Sequence, residues 1–237
     1  MSFFSIISGF FRIRQCVLCH GRALSDGLCE GCAADLPHLF TDSANSCPLC
    51  FSASIGGTVC GRCQQKPPPF EQLWASAYYE PPLSGMVYAF KHRADLGMLP
   101  PLVSLMRRHS PPWLPDAGIG AVLAVPLSKN RRLERGFNQC DELVRELGRD
   151  YGWNVLPRHT VFRRHHAPQS TLKSAQRRKN IRHAFEIKGT IPKDCNILLI
   201  DDVFTTGATL AELARSLKKS GAGRIYCWTL ARSRLKN

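Results

Sequence analysis

The chain has 237 residues, 44% of them hydrophobic, which is ample for a buried core and fits one large domain or a core with a small module. Its net charge of +14, from 32 basic and 18 acidic residues, suits polyanionic partners or plain solubility and does not separate these. The apolar run Met1 to Phe11 is too short to span a bilayer, and Arg12 and Arg14 follow it instead of preceding it. No secretory signal is evident in this pattern, and the run reads as a helix docked on the fold and not as a membrane contact.

Eight of the 11 cysteines form four Cys-x-x-Cys pairs: Cys16/Cys19, Cys29/Cys32, Cys47/Cys50 and Cys60/Cys63. Nine residues separate the first pair from the second, nine the third from the fourth, and fourteen lie between the halves. The regularity reads as a tandem duplication with one four-thiolate zinc site per half, in a reducing cytosol. The first and third pairs have the look of knuckle turns, and a helix starts near Cys32. Four thiolates leave no open coordination position, so the expected role is structural. Lys66-Pro67-Pro68-Pro69 reads as a stiff linker, giving a module over 1–66 and a second domain over 70–237.

Beyond the linker, Leu73 to Tyr79 reads as a strand and Pro82 to His92 as a helix with Leu83, Met86, Val87 and Phe90 on one stripe. Lys91 reads there as a cation facing the helix C-terminal dipole. Leu96 to His109 is a second helix. Ala121 to Val125 is a buried strand ending in the basic stretch Pro126 to Arg132. Arg135-Gly136-Phe137-Asn138-Gln139 then leads into a helix with Cys140, Leu143, Val144 and Leu147 on one face. Strand, basic loop, helix is the shape of an anion site. Trp153 to Leu156 and Thr160 to Phe162 suggest a strand pair. Arg163 to Lys173 is polar, basic and patternless, a long loop of the functional or mobile kind, and runs into a helix at Gln176 to Asn180. His165 and His166 read as loop residues. Cys140, Cys195 and Cys227 read as buried small hydrophobes.

The chain is organised around Asn196 to Leu217. Ile197-Leu198-Leu199-Ile200 suits a strand buried on both faces, and Leu210, Leu213, Ala214 and Leu217 form one helical stripe. Asp201 and Asp202 stand where the apolar run stops, followed by Thr205, Thr206, Gly207, Ala208 and Thr209. Free amides and the positive end of a helix favour a phosphate. Paired acids can accept hydrogen bonds from a vicinal diol or orient water on a divalent cation. A phosphate cradle beside diol acceptors describes a ribose 5-phosphate site. The Gly-Lys-Ser/Thr ending of a Walker loop is absent. Arg224 to Leu230 is a last apolar strand.

Four apolar residues, Asp-Asp, two residues and Thr-Thr-Gly-x-Thr resemble the phosphoribosyl pyrophosphate (PRPP) motif of type I phosphoribosyltransferases. In order along the chain, the cysteine pairs, the Pro-rich junction, Phe90-Lys91-His92, Val125-Pro126-Leu127, Arg135 to Gln139, Gln169-Ser170-x-Leu172 with Arg177 and Asn180, and this motif resemble the ComF/GntX family over nearly the whole length. The resemblance implies an α/β fold: a phosphoribosyltransferase-like parallel sheet flanked by helices, with a small N-terminal zinc ribbon. It implies a cytoplasmic protein of competence and the use of external DNA, handling PRPP with magnesium and working near single-stranded DNA and DNA-processing proteins. Asp201, Asp202 and Lys129 would be catalytic. The 5-phosphate would lie on Thr205 to Thr209 and the pyrophosphate on Leu127, Ser128 and Lys129. The family often carries four amino-terminal cysteines, where this chain carries eight. Turnover as an enzyme and the acceptor stay open.

Overall fold

A computed structural model describes residues 15–164 and 184–234. Consequently the expected N-terminal helix, His165 and His166, the Gln169 to Leu172 stretch and the Gln176 to Asn180 helix lie outside the described residues. Strands β1 (Gln72–Tyr78), β2 (Ile119–Ala124), β5 (Asn196–Phe204) and β6 (Ile225–Arg232) form one parallel sheet in the order β1-β6-β5-β2. The central pair, β5 and β6, is apolar almost throughout because helices and the cysteine module cover the sheet. Parallel neighbours need crossover connections, and here helices supply them. Between β2 and β5 lie α5 (Lys129–Arg135) and α6 (Gln139–Tyr151), and α7 (Ala208–Lys219) joins β5 to β6. Helices α3 (Leu83–His92) and α4 (Leu99–Arg108) connect β1 towards β2. The anticipated stripes are buried: Leu83, Met86, Val87 and Phe90 on α3, Cys140, Leu143, Val144 and Leu147 on α6, and Leu210, Leu213, Ala214 and Leu217 on α7.

Three expectations are corrected. The acids do not sit beyond the strand: β5 runs on to Phe204, because β6 continues to pair with it through Asp201↔Thr229 and Phe204↔Arg232. The stretch after β2 is not all loop, since Lys129–Arg135 is helical and ends at Gly136 in the left-handed region, φ 77°. Thr160 to Phe162 does not pair with Trp153 to Leu156. Val161–Arg163 forms β3, antiparallel to β4 (Phe185–Ile187), while Val155 makes a single bridge to Val122.

The cysteine segment, with α1 (Glu30–Asp35) and α2 (Gly61–Gln65), repeats its geometry. In each half a residue four after the first cysteine adopts positive φ, His20 at 62° and Phe51 at 51°, and its amide bonds back to that cysteine's carbonyl at 2.9 and 2.8 Å. The first half docks on α4, where Asp26 accepts from Ser104 Oγ at 2.7 Å and pairs with Arg108. The second docks on the sheet, where the Leu73 amide donates to the Pro48 carbonyl at 2.8 Å. Cys16, Cys47, Cys50 and Cys63 belong to the same buried core as the strands.

Candidate functional site

All four strands point one way, so their carboxyl ends share one edge, the usual ligand-binding edge of open α/β sheets. There a cavity of about 330 Å³ is lined by Tyr79, Lys91, Leu127, Arg131, Arg135, Gln139, Cys140, Arg163, Asp201, Asp202, Thr205 and Thr209, among others. The acids are held by α6. Asn138 caps that helix by accepting from the Cys140 amide at 3.2 Å, and its Nδ2 donates to the Val125 carbonyl at 3.2 Å, locking the helix start to the end of β2. The next two residues therefore face β5: Gln139 Nε2 donates to Asp202 Oδ2 at 2.8 Å and Cys140 Sγ to Asp201 Oδ1 at 3.4 Å.

Lys91 is more than a terminal helix cation. Its Nζ lies 2.8 Å from Asp202 Oδ1, with side chains only 15% and 10% exposed. Burial and the neighbouring Asp202 charge push the Asp201 carboxyl up to about 6. Gln139 is 2% exposed, and its Oε1 has no hydrogen-bond partner among the described residues. An orphaned buried acceptor in a ligand-sized cavity is costly unless something donates to it. Arg131 and Arg135 enter from α5, and Arg163 from β3. Burial lowers the pKa of His92, which lines an adjoining cavity with Lys91, Arg131 and Arg135, and the charges of Arg135, Lys91 and Arg131 add to that, as expected of a positive field.

The loop after β5 turns at Gly207, φ 76°, where a Cβ would sit 2.7 Å from the Phe204 ring. Only glycine meets both constraints. No side chain caps α7 at Gly207, and Thr206 Oγ1 accepts from the Ala208 amide only at 3.5 Å. The amino end of α7 thus faces the acids with little of its amide set engaged by side chains.

The expected residues do not all converge. Asp201, Asp202, Thr205, Thr209 and Leu127 line the cavity; Thr206 and Gly207 form the turn between Thr205 and α7, and Ala208 opens α7. Ser128 is buried and bridged to Arg163. Lys129 lines a neighbouring groove of about 840 Å³ with Phe137, Trp153, Arg158, Phe162 and Arg163. In the cysteine module, Cys16, Cys19, Cys29 and Cys32 form one cluster of sulfurs within 4.8 Å of one another, and Cys47, Cys50, Cys60 and Cys63 a second. Soft thiolates in fours suit zinc, so both tetrads could hold it. Cys140 and Cys227 are buried as expected, and Cys195 is half-buried.

No protein-family model matches the chain. It is 34% identical over 218 residues to DNA utilization protein YhgH of Salmonella typhimurium, covering 87% of this chain and 91% of that one. It is 31% identical over 240 residues to Competence protein F of Haemophilus influenzae, covering 94% and 99%.

The chain belongs to the ComF/GntX family.

Another member, Competence protein ComFC of Bacillus subtilis, is 29% identical over 213 residues, covering 87% and 84%. A crystal structure of adenine phosphoribosyltransferase overlays on 59% of this chain and 83% of its own at a TM-score of 0.36 and 16% identity, too loose a likeness to carry an argument. Among the described residues no helix is long and apolar enough to cross a membrane.

Proposed function

We propose that this ComF/GntX chain binds PRPP with magnesium and acts as a phosphoribosyltransferase-like protein in competence, DNA uptake or the use of external DNA. One observation carries the reading: two nearly buried acids share a cavity with four cations and open onto the lightly capped start of α7. An anion with adjacent hydroxyls needs these two halves together. Asp201 and Asp202 accept from the ribose hydroxyls. Thr205, Thr206, Gly207, Ala208 and Thr209 hold the 5-phosphate. Leu127, Lys91, Arg131 and Arg135 face the pyrophosphate; Ser128 and Lys129 stand outside this cavity and reach it only through the stretch they share with Leu127.

The carboxylates and the ligand's phosphate oxygens are hard donors of the kind magnesium takes. Both Asp202 oxygens already meet protein donors, Lys91 and the Val203 amide at Oδ1 and Gln139 at Oδ2, so the ion would be held through ligand oxygens and water. When bound, magnesium would offset the charge of the leaving pyrophosphate. In transfer, the C1′–O bond breaks as the acceptor's lone pair forms the new C1′ bond, and pyrophosphate departs with the electron pair. Arg and Lys side chains aimed at that departing charge lower the barrier. Both cysteine tetrads hold structural zinc in this reading, the protein works in the cytoplasm, and the DNA setting is supported by the relatives' names.

Calorimetric titration with PRPP and magnesium tests the placement. Asp202→Ala should cost more than about 2 kcal/mol of binding, because a charged acceptor is lost. Unchanged affinity rejects it. Pyrophosphate release against a panel of bases and nucleotides separates an enzyme from a non-catalytic PRPP sensor, which binds and stays silent.

A second reading, a single-strand DNA adaptor on the same fold, is favoured by the neighbouring groove. There Phe137, Trp153 and half-exposed Phe162 lie among Lys129, Arg132, Arg158 and Arg163. It requires single-strand affinity that falls steeply with salt.

A further inference from the structure

Arg232, the last residue of β6, is a cation buried to 3% exposure. Its partners are backbone carbonyls from three separate segments. Nε donates to the Cys50 carbonyl at 3.0 Å. Nη1 donates to Thr205 O at 2.9 Å and to Phe204 O at 3.5 Å, and also to Ser233 O. The guanidinium carbon stands 5.1 Å from the centre of the Phe204 ring, the ring that lies against Gly207. One side chain therefore touches a cysteine of the second tetrad and both residues that end β5 and begin the loop. A guanidinium stays charged even where burial lowers its pKa, so each acceptor it loses in the interior is costly.

The first tetrad sits elsewhere. Its segment meets α4 through Asp26 with Ser104 and Arg108, through the Ala33 carbonyl with Arg108, and where Gly27 packs on Pro101. The two halves of the duplicated module therefore have different mechanical attachments.

We propose that Arg232 is a positioning residue that couples the Cys47/Cys50/Cys60/Cys63 site to the loop at Thr205, so that metal in this tetrad, and not in the first, holds the loop in its binding shape. An ion at the tetrad pins Cys50, Cys50 fixes the guanidinium, and the guanidinium fixes the carbonyls of Phe204 and Thr205. The consequence for ligand affinity rests on the proposed function; the coupling itself does not.

The test uses the full zinc-loaded chain, with zinc content checked by mass spectrometry, and reads amide hydrogen exchange over Val203–Ala211 beside PRPP–magnesium affinity. Cys60→Ser breaks the second tetrad, Cys19→Ser the first, and Arg232→Gln the link. Cys60→Ser and Arg232→Gln should each speed exchange in that segment roughly tenfold and weaken PRPP by a similar factor, and the double variant should be no worse than either single one. Cys19→Ser should leave the segment as in the wild type. Wild-type exchange in Cys60→Ser, multiplying effects in the double variant, or an equal effect from Cys19→Ser overturns the proposal. If Arg232→Gln does not fold, the two cysteine variants decide alone. If the wild type ignores PRPP, the functional reading fails while the exchange arms still decide the coupling.

Discussion

Replacing Lys91 with glutamine tests how the acid pair is held. In the wild type its ammonium meets Asp202 at 2.8 Å, with both side chains mostly out of water. Removing one partner of a fully buried pair costs about 3–5 kcal/mol. Here the stranded carboxylate keeps Gln139 Nε2 at 2.8 Å and the Val203 amide at 2.5 Å, so the loss should be smaller, about 2 kcal/mol. For a chain of this size that lowers Tm by about 4–8 °C. Thermal unfolding of the zinc-loaded protein, followed by circular dichroism, reads it directly. In a double-mutant cycle, Asp202→Asn should cost little once Lys91 is gone, since the two changes remove one interaction. A Lys91→Gln variant that melts with the wild type, or a strictly additive cycle, refutes the idea that this pair is a structural clamp on the site.

Other outcomes follow from the same geometry. Asp201 has a folded-state pKa raised to about 6, so its contribution is fully present below the unfolded value and lost as pH rises through about 6. The stability of wild type relative to Asp201→Asn should accordingly fall between about pH 4 and 6, measured by urea unfolding across that range; a flat difference contradicts the burial of this carboxyl. Gly207→Ala meets both a positive φ and the Phe204 ring, and should cost about 1–3 kcal/mol of stability and weaken ligand binding in calorimetry. Chelation should release about two zinc ions per chain and abolish structure in the cysteine module, read by metal assay with circular dichroism; a module that stays folded without metal counts against structural zinc.

Much of this arrangement is legible in the residues, for identifiable reasons. Four consecutive apolar residues before Asp201 mark a doubly covered strand, and the spacing of the cysteine pairs matches the two sulfur clusters. What was missed depends on packing across the chain. The end of β5 is set by β6, whose pairing carries the strand through two polar residues to Phe204. Lys91 carries the local signature of a helix C-terminus, and only the docking of α3 beside β5 brings it to Asp202. Lys129–Arg135 lacks an apolar stripe, so no periodicity announces α5. Phe185–Ile187 is three residues long and finds its partner twenty-odd positions away, below the reach of local patterning. Gln139 belongs to the Arg135 to Gln139 motif, yet that its oxygen lacks a partner among the described residues is visible only once its amide is placed on Asp202.

The most direct measurement is a crystal structure of the zinc-loaded protein grown with PRPP and magnesium. It should place the 5-phosphate against Thr205 to Thr209 and the ribose hydroxyls on Asp201 and Asp202, with Lys91 shifted or shared. Density for the ligand away from that loop, or clear density for an empty cavity at saturating PRPP, would contradict the account.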